Sequence, residues 1–387
     1  MATLTATLTS TQPQLATPDA EKYSYANLPP YVHPPETKAS LPWAELVTLD
    51  LEDYPRPGGK ARLAAQLEHA VHHVGFFYVK NYSLTDEQVQ QQFTLAKNFF
   101  DLPVSEKEKY ELDYAAADYN GWRRPGRRAE EKAFDNIEIY NFAKFTKDFE
   151  GKYDHPELLR AHLDDIAYFQ RALHENVVVP LLRLFAIVLQ LPDEDYLVRQ
   201  HTFEKKSEDH FRYMIYHPRT EEEWKAADYG KKNGHTDLGT VTLLFRQPVA
   251  GLQILGEDGE WIWVSAQPGT ITVNLADTIS HLTGGWLKSS VHRVVAPPED
   301  QREYKRTGLL YFARPHNDTV LKPILDSPVL QRAGVKPRFE KEVTMEQWVK
   351  AKQTLQLNPE IAKKRYEESG DGTVEVLAGF RDRKYKE

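Results

Sequence analysis

The spacing of apolar residues changes near the middle of the chain, from a helical period to short β-rich runs. Between Lys60 and His73, Leu63, Ala64, Leu67, Ala70 and Val71 recur every three or four positions until Gly75 stops the pattern, which predicts a helix. The run Phe76-Phe77-Tyr78-Val79 predicts a buried strand, and Thr85 to Phe100, with Phe93, Ala96, Phe99 and Phe100 on one face, a second helix. A short strand is expected within Ala44–Leu51, before the Pro and Gly residues at 55–59. Residues 157–190 predict a long apolar helix (Ile166, Phe169, Leu173, Val177, Leu181, Leu184) that Pro180 must kink or divide. From about residue 200, runs rich in Thr, Val, Ile, Trp and Tyr alternate with Gly, Pro and Asp. Strands are expected at 210–216, 241–245, 251–254, 260–264, 270–274 and 308–312, with a hairpin turn at Glu257-Asp258-Gly259.

Short strands at this pace predict a jelly roll. The expected class is α+β: a double-stranded β-helix (jelly-roll) core at 201–325, a helical N-terminal region at 43–200, and a C-terminal helical extension at 326–387. Residues 1–42, rich in Pro and Thr, are expected to form an extended arm, with order beginning near Pro42. Residues 115–150 read as a surface loop in which Arg123, Arg124, Arg127 and Arg128 meet Glu130 and Glu131. His69, His72 and His73 read as solvated residues on a polar helix face.

Composition narrows the function. With 387 residues and 41% hydrophobic content the chain can bury a sizeable core, and a formal charge of -8 with interspersed signs leaves no basic stripe for phosphates. No cysteine is present, so thiolate metal sites and a cysteine nucleophile are excluded, and any metal must use His, Asp or Glu. Met1 to Thr17 lacks a signal-peptide pattern and no long apolar run occurs. The expectation is a cytoplasmic monomer acting on a small molecule, with neither a nucleic-acid nor a membrane partner.

The candidate chemistry lies in Asn233-Gly234-His235-Thr236-Asp237-Leu238-Gly239 and Ser290-Val291-His292-Arg293-Val294. His235 and Asp237 are two positions apart, so on an extended segment both side chains leave one face. A strand fold can return His292 beside them. Two imidazoles and one carboxylate suit iron(II) with coordination positions left open. Arg306 enters an apolar strand, where its charge needs an anion; a protein carboxylate or a bound dicarboxylate would serve. Tyr216, ending the 210–216 strand, can add a phenol hydrogen bond or simply pack.

The order His235-x-Asp237, Gly251-Leu252-Gln253-Ile254, Gly259-Glu260-Trp261, Pro268-Gly269-Thr270, Val273-Asn274-Leu275-Ala276-Asp277, His292-Arg293-Val294 and Arg306 resembles the iron(II) and 2-oxoglutarate-dependent oxygenases of the isopenicillin N synthase-like type. Gly75 to Asn81 and Phe99 to Pro103 resemble that family's N-terminal region, so the likeness spans roughly residues 43–325. It implies that His235, Asp237 and His292 ligate iron, that Arg306 binds the distal carboxylate of 2-oxoglutarate with help from Tyr216, and that O2 is the oxidant. Three positions depart from the family pattern: Met214 stands where Asn is common, Gly308 where Ser follows the arginine, and Tyr82 where His is usual. Thr307 cannot replace the missing hydroxyl, because it leaves the opposite face of the strand.

The implied reaction is hydroxylation, desaturation or ring rearrangement. The abundance of aromatics and the apolar run ending at Phe245 point to a small, largely apolar organic substrate, and the long N-terminal arm and Glu/Lys-rich tail resemble members of the family in secondary metabolism. Phe245, Trp122, Tyr140 and Phe142 are the expected substrate contacts, chosen as aromatics a jelly roll could place over its mouth. The alternatives are a family oxidase that does not use 2-oxoglutarate and a zinc hydrolase using His281 or His210.

Overall fold

The structure is a computed structural model and describes residues 18–116, 118–126, 136–226, 234–357, 359–369 and 373–383. Met1–Thr17, the expected Arg127, Arg128, Glu130 and Glu131 pairing, and Asn233 of the first motif lie outside the described residues. The strands are β1 (Thr48–Asp50), β2 (Phe76–Lys80), β3 (Gly121–Arg123), β4 (Ile137–Ala143), β5 (His210–Tyr216), β6 (Val241–Phe245), β7 (Leu252–Leu255), β8 (Trp261–Trp263), β9 (Thr270–Leu275), β10 (His292–Val294), β11 (Arg306–Ala313), β12 (Thr373–Leu377) and β13 (Phe380–Arg383).

Eight of them form one sheet in the order β1-β2-β9-β6-β11-β5-β4-β3, and β10-β7-β8 form a smaller one. All pairs are antiparallel except β1 with β2. The large sheet therefore has two different faces. On one, Phe76 and Tyr78 meet Leu252 and Ile254 of the small sheet, which closes the jelly roll. On the other, Phe77, Phe211, Tyr213, Leu243 and Tyr311 join a core that includes residues of the helices Gly59–His69, Asp86–Phe100, Leu163–Leu173 and Val179–Val188.

Local sequence explains these helices. Thr85 and Gln88 form a reciprocal capping box that starts Asp86–Phe100. The division expected at Pro180 is realised as a π-helical turn at His174–Val178, after which Pro180 sits in the first turn of Val179–Val188, where a missing N–H costs least. The Glu257-Asp258-Gly259 turn joins β7 to β8 as expected.

Three expectations need correction. Residues 115–150 are not a surface loop throughout: β3 and β4 extend the large sheet, because Ile137 to Ala143 alternates between two faces that are both covered. Order begins well before Pro42, since Tyr31 is buried and stacks on Phe93, and Tyr25 hydrogen-bonds Asp165 at 2.9 Å. The C-terminal extension is not only helical. After helices Met345–Leu357 and Pro359–Ser369 it ends in the β12–β13 hairpin, whose alternating Thr373-Val374-Glu375-Val376-Leu377 is a strand pattern. Lys352, buried on the first of these helices, pairs with Asp277 at 3.2 Å and with Asp382 of β13. The Asp277 N–H in turn donates to the Asp237 carbonyl at 2.8 Å, so the extension is tied to the loop that carries Asp237.

Candidate active site

One row across the large sheet builds the floor of the site. Phe76, Asn274, Thr242, Phe312 and His210 are successive cross-strand partners on β2, β9, β6, β11 and β5. Thr242 Oγ1 and Asn274 Nδ2 donate to Asp237 Oδ2 at 2.7 and 2.9 Å, which leaves Oδ1 directed to the imidazoles. His235 and His292 form an isolated antiparallel bridge, with N–H to carbonyl distances of 2.9 Å in both directions. Each presents Nε2 at 3.8 Å from Asp237 Oδ1, and the three ligand atoms lie within 4.8 Å of one another. The two motifs that lie far apart in sequence are thus brought to one point.

The donor set fits iron(II). Burial raises the pKa of Asp237, but the imidazoles of His292 and His235, with the hydrogen bonds from Asn274 and Thr242, outweigh it and hold the carboxyl at about 2. The group is therefore an anion near neutral pH. The Nδ1 of His292 lies 3.1 Å from the Ser290 carbonyl, and an Nδ1–H donated there leaves Nε2 as a lone-pair donor. His235 is exposed and His292 buried, so the cluster sits at the mouth, where an oxidant and an organic molecule can reach it.

Arg306 opens β11 opposite Tyr216, with its guanidinium 5.3 Å from that ring. It is buried, and its Nε donates to the Val249 carbonyl at 3.0 Å. Among the described residues no carboxylate pairs with it, so the protein-carboxylate explanation of this arginine is removed. Burial lowers its pKa, opposed by Tyr216 and Tyr31. Val294, which shares a face with His292, lines a small cavity together with Arg306 and Tyr216. A larger cavity of about 260 Å³ is walled on its inner side by Arg306, Gln247, Val249 and Gly251.

Gly308 is explained here. A Cβ at Gly308 would stand 2.2 Å from Nε2 of Gln247, so the Gln247 amide fills the space a serine side chain would need. Both amide atoms of Gln247 are buried without a hydrogen-bond partner. A primary amide left in that state costs free energy unless something binds it. Thr307 lies on the other side of the strand, towards Tyr31, as alternation requires.

The expected substrate contacts do not reach this face. Trp122 pairs with Tyr140, Tyr140 with Tyr213 and Phe142 with Phe211, and all are buried in the helix-side core. Tyr213 donates its hydroxyl to Gln92 on the helix Asp86–Phe100, which fixes the side. Phe245 packs on Phe169 and Tyr82. With a side-chain period of two, aromatic content alone could not say which face these residues take. The zinc-hydrolase candidates fare no better: His281 is enclosed by Phe339, Trp348 and Phe380, and His210 stacks on Phe312 at 4.5 Å.

Comparison with known proteins settles the family. Residues 46–161 match the model of the N-terminal region of non-haem dioxygenases in morphine synthesis, and residues 209–315 that of the 2OG-Fe(II) oxygenase superfamily. The chain belongs to the 2OG-Fe(II) oxygenase superfamily. The oxygenase is 31% identical to the UPF0676 protein C1494.01 of Schizosaccharomyces pombe over 260 residues, 65% of this chain and 77% of that protein. It is 26% identical to the 2-oxoglutarate-dependent dioxygenase frbA of Dothideomycetidae sp., covering 74% and 89% of the two chains. Its fold matches Neurospora crassa T7H, solved with alpha-KG and thymine, with a TM-score of 0.70 at 21% identity, over 83% of this chain and 100% of that one. It is a 2-oxoglutarate-dependent dioxygenase acting on small molecules, with iron(II), 2-oxoglutarate and O2 as its cofactor and co-substrates. No helix among the described residues is long and apolar enough to cross a membrane.

Sequence reasoning missed Asn274, Thr242 and Gln247, and it passed over two arginines on the same side of the sheet, Arg212 on β5 and the buried Arg314 just after β11. For Arg212 the signal was available. A charge inside the predicted 210–216 strand is the feature that singled out Arg306.

Proposed function

We propose that His235, Asp237 and His292 hold the iron of this dioxygenase, and that Arg306, Gln247 and Tyr216 receive the distal carboxylate of 2-oxoglutarate. The buried, carboxylate-free guanidinium of Arg306 carries this reading, because a charge in that position calls for an anion from outside the chain. The Gln247 amide supplies the donor that Gly308 lacks. Iron(II) with 2-oxoglutarate and O2 supplies the oxidising equivalent that attacks a C–H bond of the organic substrate. The chain's own part is to orient the co-substrate through Arg306, to keep Asp237 ionised through Asn274 and Thr242, and to present His292 in one tautomer.

Anaerobic titration of the iron(II)-loaded protein with 2-oxoglutarate should develop a visible metal-to-ligand charge-transfer band. Arg306→Ala should shift that titration to much higher 2-oxoglutarate; an unchanged midpoint would refute the anchor. Succinate formed in step with O2 consumption separates this reading from an oxidase that does not use 2-oxoglutarate. A role in secondary metabolism is supported by the likeness to the Validamycin A dioxygenase of Streptomyces hygroscopicus subsp. limoneus, 28% identical over 71% of this chain. A cytoplasmic location fits the need for a reducing compartment that keeps iron ferrous, and the net charge of -8 opposes a nucleic-acid partner.

A further inference from the structure

The open face of the jelly roll carries two more arginines that the co-substrate does not use. On β5, Arg212, Met214 and Tyr216 are partly exposed while Phe211, Tyr213 and Ile215 are buried, so the first set faces the mouth. Leu310 and Phe312 of β11 are partly exposed on the same side. Arg212 lies across from Leu310, rests its guanidinium over the Phe312 ring at 4.6 Å, and donates from Nε to Asn141 Oδ1 at 2.7 Å. Phe312 pairs with Thr242, the residue that bonds Asp237, so Arg212 stands beside the metal ligands.

Arg314 follows β11 directly and is buried. Its Cγ would be 3.0 Å from a Cβ at Gly239, two residues after Asp237, so that glycine leaves room for it. Its Nε is buried without a partner. Between the two arginines sits His210, stacked on Phe312 and 3.3 Å from Arg212. Burial first, and then the charges of Arg314 and Arg212, keep this imidazole well below its usual pKa and therefore uncharged.

Neither guanidinium makes an ion pair with a carboxylate among the described residues. Glu208, Asp209 and Asp237 lie near enough to Arg314 to be felt, and Asp237 also acts on Arg212, but Glu208 accepts from Asn317, Asp209 is engaged by Tyr311 and His174, and Asp237 by Thr242 and Asn274. Two such cations beside one reaction centre are costly in the empty protein and call for an anion. Arg306 cannot be serving the same group. Leu310, opposite Arg212, is four residues along β11 from Arg306, about 13 Å at the rise of a strand.

We propose that Arg212 and Arg314 bind a carboxylate of the organic substrate, so that the enzyme oxidises a small organic acid whose apolar body lies on Phe312, Leu310 and Met214. This rests on the assignment of the triad as the iron site. It keeps the largely apolar substrate expected from the aromatic content and adds one acid group, held bidentately by the guanidiniums.

The test uses the full chain, loaded anaerobically with iron(II) and 2-oxoglutarate, with the charge-transfer band as readout. Benzoate, phenylacetate and nicotinate are titrated in parallel with benzamide, phenylacetamide and nicotinamide. At least one acid should perturb the band saturably, at concentrations at least about tenfold below its amide, as expected for losing a charge-assisted contact. Arg212→Met and Arg314→Met should each erase that preference, and the band given by 2-oxoglutarate alone reports that the variant is folded and loaded. Amides that bind as well as acids, six compounds that all leave the band unmoved, or variants that keep the preference would each overturn the proposal. Failure of 2-oxoglutarate to give the band in wild type is a different result, and it counts against the iron and co-substrate assignment instead.

Discussion

Gln247 offers a test in which stability and affinity should move in opposite directions. In the protein without co-substrate its buried amide has no partner for either atom, so Gln247→Ala removes an unsatisfied donor and acceptor and breaks no hydrogen bond. The melting temperature without 2-oxoglutarate should therefore hold or rise. If the amide N–H donates to the 2-oxoglutarate carboxylate, the variant loses a hydrogen bond to a charged group, about 1.5–3 kcal/mol, or about 10–100-fold in dissociation constant. Gly308→Ser alone should also weaken binding, because its Cβ would stand 2.2 Å from the Gln247 amide and force it aside. The double variant Gln247→Ala/Gly308→Ser frees that space for a hydroxyl and should recover part of the loss, a non-additivity expected of residues in contact. Anaerobic titration of the charge-transfer band measures all four proteins, and calorimetry without 2-oxoglutarate gives the stability arm. An unchanged affinity in Gln247→Ala, or strictly additive effects in the double variant, would refute the reasoning.

Asn274→Ala removes one of the two donors to Asp237 and should weaken iron retention about 10–100-fold, read as metal content after desalting into graded chelator; full occupancy would discount that hydrogen bond. Phe142→Ala should cost about 3–5 kcal/mol of stability by emptying the helix-side core, while leaving the choice among substrates as in wild type. An altered substrate profile with unchanged stability would show that the register assignment is wrong. His281 gives a pH prediction. Burial pushes its imidazole down to about 3, so the unfolded chain takes up a proton that the folded chain refuses between roughly pH 6.5 and 3. Stability should therefore fall as pH drops through that window, and His281→Phe should flatten part of the slope in urea melts at pH 7 and pH 5; identical slopes would exclude His281 as a contributor.

The elements whose period is carried by their own residues were legible in the sequence. The strands from 210 to 313 and the helices from 60 to 100 stand close to where alternation and helical spacing place them. So was the triad, since His235 and Asp237 share a strand face and His292 recurs with its neighbours in a known order. The face taken by Trp122, Tyr140, Phe142 and Phe245 was not legible, because a strand covered on both sides is apolar at every position and local pattern gives no direction. The compensation for Gly308 was hidden for a similar reason. Gln247 lies 61 positions upstream and meets Gly308 only once the sheet has formed. Arg212 was legible in principle, as a charge inside the predicted 210–216 strand, whereas Arg314 lies just beyond β11 and meets the site only through the fold.

The pairing of Lys352 with Asp277 and Asp382 bears on how the enzyme is made. Asp382 is synthesised 90 positions after His292, so a ribosome must pass His235, Asp237 and His292 long before the ion triplet can close. Until then Asp277 is the one carboxylate among the described residues that pairs with the buried Lys352. A chain stopped short of that hairpin would carry the three proposed iron ligands yet lack the second countercharge of Lys352. Degradation signals or nonsense mutations in this stretch would therefore act on metal loading as much as on folding, and iron content per full-length molecule is the quantity they would change.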